Sequence, residues 1–251
     1  MKIKITLCAL ILLIGACHPT GHQNEIVILI SANAEWRIVK MVYPNEKFEP
    51  TPWGEYFKKE IVTSKGNVPV IFFHEGWGKV AAAGATQYAI DRWLPETLIN
   101  LGTCGGFDGL VKRFEILLIN KTVIYDIKEA MGDSREAIQD YTTELDLSWL
   151  VAPDSVKQTI LVSADSDLVP EEIDMLKKNY DAIAGDWETG AITYTCKRNN
   201  KRLLVLRGVS DLVNAAGGEA YGKPEVFQNG TEVVMRKLLK DLPGWLETVA
   251  K

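Results

Sequence analysis

Short apolar runs alternate with longer amphipathic stretches along most of the chain. Runs that are continuously apolar and rich in Ile, Val and Leu predict strands buried on both faces of a largely parallel sheet. Stretches with apolar residues three and four positions apart predict helices packed on that sheet. The predicted strands are residues 25–30, 98–101, 159–163 and 203–206, and the predicted helices are 36–41, 79–93, 170–178, 189–198 and 225–249. The pattern indicates one α/β domain.

Other segments add a hairpin and two loops to this framework. Residues 59–63 and 68–74 read as strands joined at a Lys65-Gly66-Asn67 turn, and 116–119 and 122–125 supply further β structure. Residues 128–146 are mostly polar and acidic, which predicts a mobile excursion at the rim of the domain. Residues 214–222 contain glycine and predict a flexible loop able to close over a ligand.

The first residues have the pattern of an export signal. Two lysines precede an apolar run from Ile5 to Ile14, which is too short to span a bilayer and ends in Gly15-Ala16-Cys17. Small residues before a cysteine resemble the bacterial lipoprotein signal, which implies cleavage before Cys17 and lipid on its sulfur. We therefore expect a signal peptide at 1–16, a tether at 17–24 and the folded domain at 25–251. The alternative is an ordinary cleaved signal followed by an incidental cysteine.

Composition narrows the possible partners. The 251 residues are 47% hydrophobic, enough for one large core, and carry a formal net charge of −5. No cluster of Lys and Arg is present to contact phosphates, so nucleic acid is not an expected partner. Three histidines and the spacing of Cys104 and Cys196 offer no metal site, and we expect no cofactor. Buried free thiols are favoured over a disulfide for these two cysteines.

Several polar side chains follow predicted strands at their carboxyl ends, where ligands gather in open α/β sheets. Glu35 follows the first strand, in a helix for which Ser31 and Asn33 are expected caps. Thr103 lies among the glycines of 102–106, which let a ligand approach the backbone closely. Asp211 ends the segment after the strand at 203–206. These residues predict a site at one edge of the sheet.

The segment 185–192 sets Asp186, Trp187 and Glu188 at a strand-to-helix turn. Either the acids line a site, or they only stabilise the start of the helix, where negative charge is favoured by roughly 0.3–1 kcal/mol. Gly76 and Gly78 present a similar choice at the helix that begins near 79. A tight turn is the favoured reading there, over a cradle for an anion.

Five segments in order resemble the nucleoside phosphorylase and nucleosidase superfamily, and within it the methylthioadenosine/S-adenosylhomocysteine nucleosidases. The resemblance spans most of 25–249. It implies a three-layer α/β/α domain around a twisted mixed sheet, usually dimeric, with the active site at the strand ends described above. The carriers of the resemblance are residues 31–35, 76–83, 100–107, 186–188 and 207–211.

The resemblance also implies roles for individual residues. Asp211 resembles the acid that protonates adenine N7, and Glu35 resembles the carboxylate that activates water, aided by Thr103 and Arg207. Glu188 is similar to the residue that binds the ribose 2′- and 3′-hydroxyls. The further expected substrate contacts are Trp187 under the sugar, backbone groups near Leu168 at the adenine edge, and Ser210 and Gly105. Bacterial members place a stacking aromatic at about Asp167, and for this chain we expect Phe107 to stack on the base instead.

We therefore expect an enzyme that hydrolyses the N-glycosidic bond of an adenine nucleoside, giving adenine and a ribose derivative. One alternative is a purine nucleoside phosphorylase. Another is a tethered protein that captures nucleosides without turning them over, although such a protein has no use for both Glu35 and Asp211. The signal predicts an exported protein, lipid-anchored to a bacterial membrane, which is unusual for a family that normally works in the cytoplasm.

Overall fold

The computed structural model of the protein describes residues 26–153 and 156–249. The expected signal at 1–16, the tether at 17–24 and the lipidation site at Cys17 lie outside the described residues. Within those two ranges, none of the helices combines the length and apolarity needed to cross a membrane.

The described residues form strands and helices that alternate along most of the chain. The strands are β1 (Ile26–Ile30), β2 (Glu49–Pro50), β3 (Glu55–Thr63), β4 (Gly66–His74), β5 (Thr97–Phe107), β6 (Ile116–Ile124), β7 (Thr143–Glu144), β8 (Lys157–Ser163), β9 (Ala182–Asp186), β10 (Arg202–Asn214) and β11 (Gly217–Gly218). The helices are α1 (Asn33–Val42), α2 (Gly78–Trp93), α3 (Arg135–Tyr141), α4 (Ile173–Tyr180), α5 (Thr189–Arg198) and α6 (Pro224–Val249), with a 3₁₀ turn at Pro170–Glu172.

A mixed sheet is built around β5. This strand pairs in parallel with β1 through its first half and with β10 along its whole length, and its second half pairs antiparallel with β9. Because β10 also pairs with β6, β6 with β8 and β8 with β9, the strands from β5 round to β9 close on themselves. The strands β1, β5 and β10 run in one direction, whereas β8 and β9 approach the second half of β5 from the opposite direction, because β9 pairs antiparallel with it. The end of β9 at Asp186 therefore lies beside the middle of β5.

Helices cover both faces of the sheet. Alternate strand side chains, such as Ile28 and Leu206, pack against α1 and α6 on one face. Their neighbours, such as Val27 and Val205, pack against α2 and α5 on the other. All five residues of β1 are buried, as expected of a strand covered on both faces. The predicted three-layer α/β/α fold with a mixed central sheet is confirmed.

Most predicted elements are present, and the differences lie at strand ends and loops. The segments 102–107 and 207–211 do not follow strands but belong to β5 and β10. Residues 128–146 are not a plain excursion, because they contain α3 and β7, which pairs with β6. Residues 214–222 likewise contain β11, which pairs with the end of β10. The helix at 225–249 is confirmed as α6.

Candidate active site

A cavity of about 470 Å³ opens where the carboxyl ends of β5, β9 and β10 meet the start of α1. Most of the predicted site residues line it, although they come from distant parts of the sequence. Those that line it are Glu35, Thr103, Gly105, Asp167, Leu168, Trp187, Glu188, Ser210 and Asp211. The two other predicted site residues, Arg207 and Phe107, do not line the cavity and are completely buried.

Glu35 lies in the first turn of α1 and is held by three hydrogen bonds. Its Oε1 accepts from the Thr103 N–H at 2.6 Å and from the Thr103 hydroxyl at 2.8 Å. Its Oε2 accepts from the Ala32 N–H at 3.2 Å. Ala32 is the N-cap of α1 and caps with no side-chain hydrogen bond, so the expectation that Ser31 or Asn33 caps this helix is wrong. Instead, Glu35 turns back and satisfies the N-terminal N–H itself.

Burial and nearby hydrogen-bond donors have opposite effects on the pKa of Glu35. Burial raises the pKa of its carboxyl, since only 2% of the residue is exposed. The Arg207 guanidinium, whose Nη1 lies 3.7 Å from Oε1, and the donors Thr103 and Ala32 act to lower the pKa. Burial is the largest effect, so Glu35 binds a proton more readily than a carboxyl in water.

Arg207 lies behind the cavity and is completely buried. Its Nη2 donates to Asn100 Oδ1 at 2.9 Å and lies 3.0 Å from Asp186 Oδ2, while its Nε donates to the Thr189 hydroxyl at 2.7 Å. The guanidinium passes across β5 at Gly102, where a Cβ atom would overlap it. Arg207 was expected to aid Glu35 with water, and its Nη1 contacts Glu35 and donates to the Thr103 carbonyl at 3.4 Å.

Asp186 has a larger part in the site than its position in the sequence suggested. Besides Arg207, it accepts from the Ser163 hydroxyl at 2.7 Å, from the Thr189 N–H and from the Thr189 hydroxyl. It therefore both joins the buried network and stabilises the start of α5. Asn100 belongs to the same network and was missed, although a polar residue inside a continuously apolar strand was a usable signal.

Glu188 presents the second cavity carboxyl and is 5% exposed. Its Oε1 accepts from the Gly78 N–H at 3.0 Å. Burial, together with the neighbouring Asp186 carboxylate, raises the pKa of Glu188 to about 8. Gly76 and Gly78 have φ angles of +88° and +80°, which confirms the tight turn. The N–H that this turn exposes is that of Gly78, and it donates to the Glu188 carboxyl group.

Asp211 follows an irregularity in the pairing of β10 with β5. The register shifts between Val209 and Asp211, so Ser210 is an extra residue at a bulge, and such bulges re-aim side chains. The Ser210 hydroxyl donates to Asp211 Oδ1 at 2.6 Å. Burial raises the pKa of Asp211, and the Ser210 hydroxyl acts to lower it. Glu219 adds to the rise and Arg113 opposes it.

The expected stacking role of Phe107 is wrong. Because β5 continues through the glycines, Phe107 is a fully buried core residue that packs in one cluster with Leu168 and Val213. The aromatic side chains that do line the cavity are Trp77, Trp187, Tyr221 and Phe227. The loop 214–222, which contains Tyr221, was expected to close over a ligand, but Trp77, Tyr221 and Phe227 were not individually predicted to line the cavity.

Two of the aromatic residues shape the walls of the cavity. Trp77 and Trp187 have ring centroids 5.7 Å apart with planes tilted by 31°. The Tyr221 hydroxyl donates to the Leu168 carbonyl, so that carbonyl, one of the backbone groups expected at the adenine edge, is already engaged. Cys104, which lines the cavity, and Cys196, in the core, are buried free thiols, as expected.

Comparisons with known proteins agree with this architecture. A family model described as the phosphorylase superfamily matches residues 27–241. The 5′-methylthioadenosine/S-adenosylhomocysteine nucleosidase of Buchnera aphidicola is 29% identical over 175 residues, which cover 62% of this chain and 75% of that one. The Streptococcus pneumoniae MTA/SAH nucleosidase in complex with 8-aminoadenine superposes with a TM-score of 0.72 at 18% identity, covering 89% of this chain and 99% of the other. A futalosine hydrolase mutant of Helicobacter pylori superposes with a TM-score of 0.69 at 19% identity, covering 86% and 97%.

Proposed function

The chain belongs to the phosphorylase superfamily, and from that premise we propose that it hydrolyses the N-glycosidic bond of an adenine nucleoside. The products are adenine and a ribose derivative. The observation that carries this proposal is the set of carboxyl groups around one cavity, since Glu35, Glu188 and Asp211 each have a different set of hydrogen-bond partners. The related nucleosidases described above support it.

Glu35 is the proposed general base. Breaking the glycosidic bond leaves positive charge on the sugar, and a water must then attack the anomeric carbon. A Glu35 carboxylate takes one proton from that water, while the Thr103 and Ala32 donors hold the carboxylate in place. A positioned base of this kind contributes about 10²–10⁴-fold to the rate.

Asp211 is the proposed general acid. Adenine leaves poorly as an anion, so a proton delivered to N7 as the bond breaks lowers the barrier. The raised pKa of Asp211 keeps it protonated to a higher pH than a free carboxyl, as this role needs. The protonated group donates to N7, and its other oxygen accepts from the 6-amino group, which favours adenine over a 6-oxopurine.

Glu188 and Trp187 are the proposed ribose contacts. A carboxylate can accept hydrogen bonds from both the 2′- and the 3′-hydroxyl, and the adjacent indole gives the sugar an apolar surface. Asp167, Leu168, Ser210 and Gly105 are the proposed contacts of the base.

Hydrolysis is favoured over phosphorolysis by the charge of the cavity. Among the described residues that line it there are five acids, Glu35, Asp167, Asp186, Glu188 and Asp211, and no Lys or Arg. The start of α2, where a phosphate could otherwise bind, already meets chain carboxylates, because Gly78 N–H donates to Glu188 and Lys79 N–H to Asp165. A phosphate dianion would find no cation to pair with among these lining residues and would meet acidic side chains instead.

The test measures adenine released from 5′-methylthioadenosine, S-adenosylhomocysteine and adenosine by the purified protein, in phosphate-free buffer and with phosphate added. We expect release without phosphate, together with one reducing sugar per adenine. A strict requirement for phosphate would instead favour a purine nucleoside phosphorylase. Tight binding without adenine release would favour a nucleoside-capturing protein.

We also propose that the protein is exported, anchored to a bacterial membrane by lipid on Cys17, and active as a homodimer. The support for export is the sequence of residues 1–17. The support for a dimer is apolar surface beside the cavity, where Trp77 is 66% exposed and Val80 81% exposed. Labelling with a radioactive fatty acid, lost in Cys17→Ser, tests the anchor, and light scattering of the soluble domain tests the dimer.

A further inference from the structure

A further carboxyl group, that of Glu75, lies in the core near Glu35 and has no part in the proposed chemistry. Glu75 is completely buried and directly follows β4. Its N–H donates to the carbonyl of Ile30, the last residue of β1, at 2.9 Å. This hydrogen bond fixes Glu75 beside the point where the chain turns from β1 into α1.

Both hydrogen bonds of the Glu75 side chain are to uncharged groups. Its Oε1 accepts from the Thr86 hydroxyl at 2.8 Å and its Oε2 from the Ser31 hydroxyl at 3.3 Å, and both hydroxyls are fully buried. Arg207 is engaged by Asp186 and Asn100. With burial as the largest cause, the pKa of Glu75 is raised to about 8, so the group is mainly a neutral acid at pH 7.

The contact with Ser31 connects Glu75 to the active site. Ser31 precedes Ala32, whose N–H donates to Glu35 Oε2 at 3.2 Å. The turn lacks the usual anchor, because Ala32 stands at the N-cap and has no side chain able to accept a hydrogen bond. The hydroxyl that could have capped the helix, that of Ser31, is bonded to Glu75 instead.

We propose that Glu75 is a positioning residue for Glu35: by holding the Ser31 hydroxyl, it fixes the turn from β1 into α1 and keeps the Ala32 N–H directed at the Glu35 carboxylate. The proposal rests on the proposed function of Glu35 as the base. Glu75 acts through the turn and touches neither the cavity nor the substrate.

A measurable consequence follows for the titration of Glu35. An N–H that donates to a carboxylate favours its charged form, so loosening the Ala32 N–H raises the pKa of Glu35. The titratable and charged groups that face Glu75 are Glu35 from α1, Arg207 from β10 and Cys196 from α5. A neutral replacement of Glu75 removes none of these groups, so a change in the titration of Glu35 reports on the turn.

The experiment compares four single variants and the Glu75→Met/Ser31→Ala double variant with the wild type. Glu75→Met removes both side-chain hydrogen bonds at similar volume, and Ser31→Ala removes the same link from its other side. Glu75→Gln keeps a neutral group that can bond both hydroxyls. Thr86→Val removes the other hydroxyl, which does not lead to Glu35. The readouts are the acid limb of kcat and KM against pH, and the carboxyl ¹³C titration of Glu35, identified by its absence in Glu35→Gln.

We expect the Glu35 titration to move upward by about one pH unit in Glu75→Met and in Ser31→Ala, the size expected for one hydrogen bond to a charged group. The double variant should move no further than either single one, and KM should stay within about threefold because the ribose and base contacts are intact. Glu75→Gln and Thr86→Val should titrate like the wild type. Unchanged titration in Glu75→Met and Ser31→Ala, or an equal shift in Thr86→Val, would overturn the proposal.

The ¹³C readout separates this inference from the proposed function. It needs no turnover, so it decides the role of Glu75 even in a protein that releases no adenine. If the wild type released no adenine, that result would count against the proposed nucleosidase activity but not against the role of Glu75. A lower melting temperature in Glu75→Met with an unchanged Glu35 titration would show that Glu75 only stabilises the core. That result would contradict the proposal.

Discussion

Arg207 lies closer to Asp186 than to Glu35: its Nη2 is 3.0 Å from the Asp186 carboxylate, whereas 3.7 Å separates its Nη1 from Glu35. The guanidinium is therefore neutralised mainly by a residue that is not the proposed base. Glu35 is left with a pKa that burial raises, despite the cation nearby. This arrangement leaves Glu35 basic enough to take a proton while Asp186 holds the cation in place.

The first prediction concerns the stability of this pair. Arg207→Met removes the cation and leaves Asp186 and Glu35 buried without it, so the free energy of unfolding should fall by about 3–5 kcal/mol. Urea unfolding followed by Trp fluorescence measures this change. The control is Arg202→Met, since Arg202 pairs with Glu96 at the surface and its loss should cost under about 1 kcal/mol. Equal losses in both variants would contradict the prediction.

Glu35→Gln should lower kcat by about 10²–10⁴-fold while substrate binding is retained, because an amide of the same shape cannot take the proton from water. Adenine release measures kcat, and calorimetry with 5′-methylthioadenosine measures binding. Glu96→Gln, at an exposed ion pair, is the matched control and should behave like the wild type. An active Glu35→Gln would rule out the proposed base.

Asp211→Asn should lower kcat for adenosine by about 10²–10⁴-fold, because the amide has no acidic proton to give to N7. It should also narrow the preference for adenosine over inosine, since the amide can donate to a 6-oxo group. The wild type should prefer adenosine by roughly ten- to hundredfold, the cost of one unpaired buried polar contact. Competition between the two nucleosides, with each free base quantified, measures both values.

Binding should strengthen with pH through the titration of Glu188. The pKa of this group is raised to about 8, and only the ionised form can accept from both ribose hydroxyls. Its ionised fraction rises about tenfold between pH 7 and pH 9, so the Kd should fall by up to about tenfold over that interval. The measurement uses the Glu35→Gln protein, which avoids turnover. In Glu35→Gln/Glu188→Gln the Kd should be weaker and its pH dependence flatter.

Stability should respond to pH through Glu75 in the opposite sense to most carboxyls. Its pKa rises from 4.5 in the unfolded chain to about 8 in the folded protein. The folded state therefore holds the proton more tightly, which favours folding fully below pH 4.5 and progressively less as the pH rises to about 8. The urea midpoint of the wild type should therefore fall between pH 5 and pH 8 relative to the midpoint of Glu75→Gln, which has no carboxyl group to titrate at this position. A difference independent of pH would contradict this.

Much of the site was predictable because strand ends are visible in sequence. Glu35 and Glu188 follow apolar runs, and the runs identify the strands whose carboxyl ends meet. Residues in the buried network were harder to find. Ser163 and Thr189 have no pattern of their own, and their hydroxyl groups find partners only when β5, β8, β9 and α5 come together. Asn100 is the exception, because a polar residue inside an apolar strand marks its position.

The glycine segments were the main source of error in placing residues. The strand was predicted to end at Leu101, with the glycines of 102–106 giving a ligand close access to the backbone and Phe107 expected to stack on the base. In the fold, pairing with β10 keeps these glycines in β5, and neighbouring side chains fill the space that a Cβ would need, as Val111 and Val209 do at Gly106. Such crowding is a tertiary property that no local pattern records.

Gly102 is a position at which any side chain would disturb both the active site and the core. A Cβ at this position would meet both the Arg207 guanidinium and the Glu35 carboxylate, so every amino-acid replacement there displaces the cation and the base in one step. A substitution at Glu35 can therefore remove the activity and leave the fold in place. A substitution at Gly102 removes the activity and also disturbs the core. Random mutagenesis that selects only for soluble protein should accept Glu35→Gln and reject Gly102→Ala.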